Sequence, residues 1–310
     1  MLCIYYHRDF DGIASAAILA EALEQSRGEA HVTWAGVNFD RTLEWDRFGA
    51  GQRFAVVDFH FHPQAEYWFD HHPTTFLDER HQLAFRDHDR ACFDPEAKSC
   101  PPIILRHAAE RWSWEAPARF HDLARWSDII DSASYGTAEQ ALFGTEPALR
   151  ISRALTCARD YDFQDRLVAM MRMSELADII EDSEVLSCAQ RAERNRDSAL
   201  EAFPANIVEQ TPRAMFADLR SKKIRRERFA PFYLYPELNY AVTLLPTRAG
   251  LHITVASNPW NRPVGGPHIG HLMKSYGGGG HQGVGGCNPP SESKAFSWCE
   301  TLFAQLAAEA

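Results

Sequence analysis

Apolar and polar positions alternate in blocks along the first third of the chain. Residues Leu2 to Tyr6 read as a buried strand, and Ile13 to Gln25 as an alanine-rich helix entered through Gly12. Further strands are expected at Val32–Val37, at Phe54–Phe59 and ending at Tyr67–Phe69, with polar or helical stretches between them. Strands alternating with helices predict an α/β fold with a parallel sheet, in which ligands bind beyond the carboxyl ends of the strands. The informative positions are then the polar residues that follow each apolar run. They are His7, Asp9 and Asp11 after the first, Asp58 after Phe54–Val57, and Asp70, His71 and His72 after Tyr67–Phe69.

From Ile103 to Asp131 the periodicity is helical, and from Tyr161 to about Leu200 it is that of a long, highly charged amphipathic helix, which serves as the candidate link between two domains. A strand-rich pattern then resumes near Arg213–Asp218, Tyr240–Leu244 and Leu251–Ala256. A glycine run and a terminal helix from about Glu292 follow. The expected division is residues 1–195 and 200–310, the second domain being a smaller α/β unit.

Composition narrows the classes. With 310 residues, 45% hydrophobic and 24% charged, the chain falls in the globular range, and no segment approaches the roughly 20 apolar residues that cross a bilayer. The start of the chain lacks the pattern of a secretory signal, so a cytoplasmic location is expected. Seven cysteines without a CxxC pair suit neither a disulfide framework nor a zinc ribbon. A net charge of −10 argues against extended coating of DNA, because nonspecific affinity comes from neutralising phosphates with Lys and Arg. Any nucleic-acid partner is expected to be short; the oligomeric state is left open.

Spacing of two at the end of a strand puts His7, Asp9 and Asp11 on one side of the backbone. Read alone, the string also fits a turn with helix-capping aspartates. Asp58 changes the balance, since a carboxylate after a fully apolar strand is poorly solvated without a cation or donor, and the same holds for Asp70, His71 and His72. Carboxylate oxygens with a few imidazoles suit Mn²⁺ or Mg²⁺. His60 and His62 lie beside this group and read either as participants or as ordinary histidines.

These stretches, His7 to Gly12, Val56 to Phe59 and Asp70 to Pro73, resemble in order and spacing the first three motifs of the DHH phosphoesterases, a superfamily that includes exonucleases, oligoribonucleases, cyclic-dinucleotide phosphodiesterases and pyrophosphatases. The fourth motif is matched by Trp126 to Asp131, with Asp128 the better alignment and Asp131 the reserve. The resemblance implies two Mn²⁺ per chain, or Mg²⁺, bridged by Asp58 and completed by His7, Asp9, Asp11, His71 and Asp128. It gives His72 to the substrate phosphate and makes Asp70 the residue that orients the histidines. Many relatives place the first histidine four residues before the first aspartate, where this chain has Tyr5.

Near the end of the chain, Gly277, Gly278, Gly279 and Gly280 precede His281. Consecutive glycines allow close approach to a ligand and can turn N–H groups onto an anion. The run resembles the GGGGH signature of the DHH-associated C-terminal domain, which implies substrate binding. Ser257 and Asn258 lie where relatives place substrate-contacting residues. The continuation Gly283 to Gly286 departs from the Ala-Ala-Gly stretch common in the family. His268 to His271 spells HIGH, a synthetase motif that opens a nucleotide-binding domain, and here it sits far too late in the chain. The basic run Arg220–Arg228 reads as a solvated face or as a phosphate grip.

The expected activity is two-metal hydrolysis of phosphoesters in small nucleotides or short oligonucleotides. The alternatives are a pyrophosphatase or exopolyphosphatase-like hydrolase of phosphoanhydrides, and a nonhydrolytic nucleotide-binding protein.

Overall fold

The computed structural model describes residues 1–38, 44–49, 51–158, 162–220, 226–247 and 250–308. Tyr161, where the long helical pattern was expected to begin, and residues 221–225 of the basic run lie outside them. The chain divides into two compact units, one of Met1–Tyr135 with Thr145–Ala192 and the other of Gly136–Gly144 with Glu193–Ala310.

The first unit carries β1 (Leu2–His7), β2 (Val32–Val37), β3 (Phe54–Val57), β4 (Tyr67–Asp70) and β5 (Ala91–Phe93) in one sheet, in the order β2-β1-β3-β4-β5 with every pair parallel. Its helices are α1 (Phe10–Ser26), α2 (Glu79–Ala84), α3 (Pro101–Trp112) and α4 (Ala118–Asp131). In the second unit lies α5 (Ala138–Phe143), after which α6 (Pro147–Leu155), α7 (Asp162–Met173) and α8 (Leu176–Ile179) return to the first, and α9 (Ser183–Ala202) runs from one unit into the other. The expected single long helix is therefore broken at Ser174 and again near Asp182. The reason is that α7 belongs to the first core, packing Phe163, Leu167 and Met171 against α1.

All four residues of β3 and of β4 are buried, as a parallel sheet covered on both faces requires. Helix α1 is buried along almost its whole length because Ala14, Ala16, Ala17, Ala20 and Ala22 let α3, α4 and α7 approach it closely. The strand order reverses at β1, so the crevice of the sheet opens where β1 meets β3. On the opposite face, Trp45, Phe54, Phe59 and Trp68 build an aromatic cluster. Strand β3 stops at Val57, two residues short of the expected end, because Asp58 turns into the left-handed region at φ 54°.

The second unit forms a six-stranded mixed sheet from β6 (Ile207–Gln210), β7 (Ala214–Asp218), β8 (Tyr240–Thr247), β9 (Gly250–Ser257), β10 (Gly279–Gly280) and β11 (Val284–Cys287), in the order β10-β11-β9-β8-β7-β6. Only β7 and β8 run parallel. With α10 (Ala230–Leu234), α11 (Ile269–Lys274) and α12 (Glu292–Ala308) the unit has its own core, in which Phe216, Val242, Ile253 and Val255 meet Leu302 and Phe303 of α12. Among the described residues no helix is long and apolar enough to cross a membrane.

Candidate metal centre

Three adjacent strands deliver the polar residues. β1 ends on His7, β3 is followed by Asp58, and β4 ends on Asp70 with His71 and His72 behind it. Asp9 caps α1 by accepting from Gly12 N at 3.0 Å, which leaves its other oxygen 2.8 Å from His7 Nδ1. Gly12 proves to be the third residue of the helix rather than a hinge into it. A Cβ there would stand 2.0 Å from the His7 carbonyl oxygen, so only glycine lets the helix seat against the end of β1.

Asp58 sits at the centre. It is 1% exposed, its N–H donates to the Phe69 carbonyl at 2.9 Å, and neither carboxylate oxygen has a hydrogen-bond partner. His7 Nδ1 stands 3.7 Å from Asp58 Oδ2, while His71 Nε2 and His72 Nδ1 stand 3.5 and 3.6 Å from Asp58 Oδ1. These separations exceed good hydrogen bonds. His71 Nε2 also lies 3.4 Å from Asp11 Oδ2 and 3.6 Å from Asp131 Oδ2. Three overlapping groups of potential ligands thus converge among the described residues, His7 with Asp9 and Asp58, Asp11 with His71 and Asp131, and Asp58 with Asp70, His71 and His72.

Surrounding groups orient them. His71 Nδ1 lies 3.2 Å from the Ala97 carbonyl, so donation through Nδ1 leaves the Nε2 lone pair toward the carboxylates. Asp70, fully buried, accepts from His71 N at 2.8 Å and stands 2.8 Å from His72 Nδ1, which makes it a clamp for both histidines. Asp11 accepts twice from Cys100 N, at 3.0 and 3.2 Å, at the amino end of α3. The loop through Ala97 and Cys100 was not legible as part of the site. Its one signal is the Pro101-Pro102 pair that opens a helix.

Packing like charges into a dry site has the expected electrostatic result. Burial, and then the Asp58 carboxylate, push Asp11 up to about 7. Burial, and then Asp11, push Asp131 up to about 7. Asp58 is raised by burial and by Asp9. Burial works against protonated His71, yet Asp11 and Asp58 override it and push the imidazole up to about 12. His7 behaves likewise: burial opposes its charge, and Asp9 followed by Asp58 push it up to about 11. The carboxylates are tolerable here only with protons or another cation among them.

Asp128 is placed differently. It accepts from Ser99 Oγ at 2.7 Å and belongs to none of the three ligand groups, whereas Asp131, three residues on at the end of α4, faces His71. His62 is 1% exposed and packs edge-on against Trp45 and Phe54, as a core histidine does. His60 packs against Phe59, and burial lowers its pKa.

In the second unit the glycine run is a packed hairpin. Gly277 N donates to the Lys274 carbonyl, Gly278 N to Met273 and His281 N to Val284. A Cβ at Gly278 would lie 2.1 Å from the Gly286 carbonyl oxygen, and one at Gly270 of α11 would lie 2.1 Å from that of Gly280. Gly277 and Gly280 hold φ of 70° and 146°. Of the four glycine N–H groups expected to meet an anion, those of Gly277 and Gly278 are used within the fold, as is that of His281, while the His281 side chain stays on the exposed surface. Ser257 Oγ donates to the Gly283 carbonyl. Asn258, 1% exposed, gives its amide to the Pro236 and Leu238 carbonyls and accepts from Trp260 N, so its polar atoms are engaged inside the turn. His268 caps α11, a structural role for the first residue of HIGH.

No family model and no curated protein matches the sequence. Solved structures do. The chain is similar to the pGpG-specific phosphodiesterase PggH from Vibrio cholerae, with 17% identity, a TM-score of 0.71 and 100% of each chain covered. It is similar to an exopolyphosphatase-related protein from Bacteroides fragilis, with 13% identity, a TM-score of 0.53, and 99% of this chain and 93% of that one covered. RecJ from Thermus thermophilus, solved in complex with Mn²⁺, is also similar, with 13% identity and a TM-score of 0.53; all of this chain aligns to 52% of RecJ. The fold is that of the DHH phosphoesterases.

Proposed function

We propose that this chain is a two-cation phosphoesterase of the DHH type, acting on small nucleotides or short oligonucleotides, with a linear dinucleotide such as pGpG as the first candidate substrate. The observation that carries the reading is Asp58. A buried carboxylate with two unsatisfied oxygens, held in a left-handed backbone conformation between His7 on one side and His71 on the other, is costly unless cations neutralise it.

The donor set fits hard divalent ions. His7, Asp9 and Asp58 would hold one cation, and Asp11, Asp58, His71 and Asp131 a second. Asp131 takes the place first given to Asp128 because it faces His71, while Asp128 is engaged by Ser99. Bound there, two divalent cations supply electrostatic stabilisation for the attacking and leaving oxygens of an in-line phosphoryl displacement. His72 has a separate task. Burial opposes its charge, but Asp70 raises it to about 9, so at neutral pH it keeps its proton and offers Nε2–H to a phosphate oxygen of the substrate. Asp70 fixes the ring in that orientation. His281 is the residue of the second unit proposed to contact substrate.

The whole-chain likeness to PggH supports a short linear dinucleotide, and Mn²⁺ in the RecJ structure supports that metal first. The test is turnover of pGpG, short RNA and polyphosphate by Mn²⁺-loaded protein. Hydrolysis of pGpG that disappears on chelation and returns with Mn²⁺ is expected. Activity indifferent to exhaustive chelation refutes the reading, and turnover of polyphosphate alone transfers it to phosphoanhydrides.

A further inference from the structure

The third group of potential ligands is left partly unused by the two proposed cations. The ligand atoms of Asp58, Asp70, His71 and His72 lie within 4.8 Å of one another. His71 is committed to the second cation, which leaves Asp58, Asp70 and His72.

Asp70 is the informative member. It is 0% exposed, and its Oδ1 accepts from His71 N at 2.8 Å and stands 2.8 Å from His72 Nδ1. Its Oδ2 is buried and has no hydrogen-bond partner among the described residues. Holding the two histidines therefore explains only one oxygen of the carboxylate. A buried carboxylate oxygen without a donor is costly, and a cation beside it relieves that cost.

Charge points the same way. Asp9, Asp11, Asp58, Asp70 and Asp131 carry five negative charges when ionised, against four positive charges on two divalent ions. Asp70 is the one carboxylate of the five that lies outside the first two ligand groups. Ligands about 2.1 Å from a single ion stand roughly 3–3.5 Å apart. His72 Nδ1 is 2.8 Å from Asp70 Oδ1 and 3.6 Å from Asp58 Oδ1, close to that spacing. The His72 side chain is 19% exposed, so an ion can arrive from solvent and keep water on its open positions.

We propose that Asp58, Asp70 and His72 form a third and weaker cation site, suited to an ion such as Mn²⁺ that accepts imidazole together with carboxylate. The inference rests on the two-cation reading, because Asp58 is shared with both of those ions. Two neighbouring cations repel a third, and the incoming ion also displaces the His72 Nδ1 proton, which leaves to solvent. Bound there, the ion takes over from Asp70 the task of fixing the ring, and Nε2–H remains for the substrate phosphate.

Calorimetric titration of metal-free full-length protein with Mn²⁺ tests the site. Wild type is expected to bind three ions, the third about tenfold or more weaker than the other two. Asp70→Asn keeps Oδ1 for His71 N but puts an amide nitrogen, which cannot ligate, in place of Oδ2. It is expected to bind two ions with affinities within about threefold of wild type. Crystals of wild type grown in excess Mn²⁺ should show anomalous density beside Asp70 Oδ2, a check that does not depend on the variant folding. Three ions in Asp70→Asn, or two in wild type with no density beside Asp70, overturn the third site and leave the two-cation reading standing. Fewer than two ions in wild type refute that reading and the third site with it.

Discussion

Asp58 and Asn258 are equally buried, at 1% exposure each, and each follows a strand whose residues are largely apolar, yet their surroundings are opposite. Asp58 keeps two carboxylate oxygens without a partner, and His71 beside it keeps Nε2 in the same condition. Asn258 gives its amide hydrogens to two carbonyls and its oxygen to an amide. Buried polar atoms are normally satisfied within the protein, so those left over mark where something else is meant to bind, and those fully used mark the scaffold. By this criterion the cluster around Asp58 and His71 in the first unit is a candidate site for ligands. The turn after β9 in the second unit is scaffold.

The most damaging way to test the contrast is at Asp58. Asp58→Ala is expected to lower kcat by at least about 10²–10³-fold, the scale of losing one electrostatic stabiliser, and to reduce the bound metal. The metal-free protein should melt no lower than wild type, because an unsatisfied buried carboxylate has been removed. Elemental analysis showing two ions per chain in the variant would end the bridging assignment.

Next in size is the choice between two aspartates of α4. Asp131→Asn should weaken metal binding or activity by about 10–100-fold or more, whereas Asp128→Asn should chiefly disturb the hydrogen bond from Ser99 and cost about 1 kcal/mol of stability. Metal titrations of the two variants side by side distinguish them, and equal loss in both would place Asp128 in the ligand set.

His281→Ala should leave metal content unchanged and reduce kcat/KM for a dinucleotide by roughly tenfold or somewhat more, the effect of one charge-assisted hydrogen bond. A simple aryl phosphodiester should suffer less. Loss of bound metal would assign His281 to the metal centre instead.

The smallest expected effect on catalysis belongs to Asn258→Ala. Removing a satisfied buried amide should cost about 1–3 kcal/mol of stability while kcat/KM changes little in the protein that remains folded. A selective rise in KM at unchanged stability would restore Asn258 to the substrate contacts.

Much of the first unit was readable without coordinates, for a definite reason. In a parallel sheet the strands are apolar throughout and ligand groups follow their carboxyl ends, so His7, Asp9, Asp58, Asp70, His71 and His72 stand out at the points where hydrophobic runs stop. The segment Ala97–Cys100 gave no such signal, because it contributes a carbonyl and an N–H, and backbone groups look alike in every sequence. The glycine run was legible as a place of close approach. That the approach is to Gly286 and α11 depends on pairings distant along the chain.

The alternation of strands and helices, the acidic balance and the order of the carboxylate and imidazole motifs were determined by the residues alone, since each follows from local periodicity and side-chain chemistry. Which aspartate of α4 meets His71 was not. Residues advance by about 100° around a helix, so Asp128 and Asp131 lie on neighbouring sides of α4, and only the packing of that helix against α1 and α3 turns one toward His71 and the other toward Ser99.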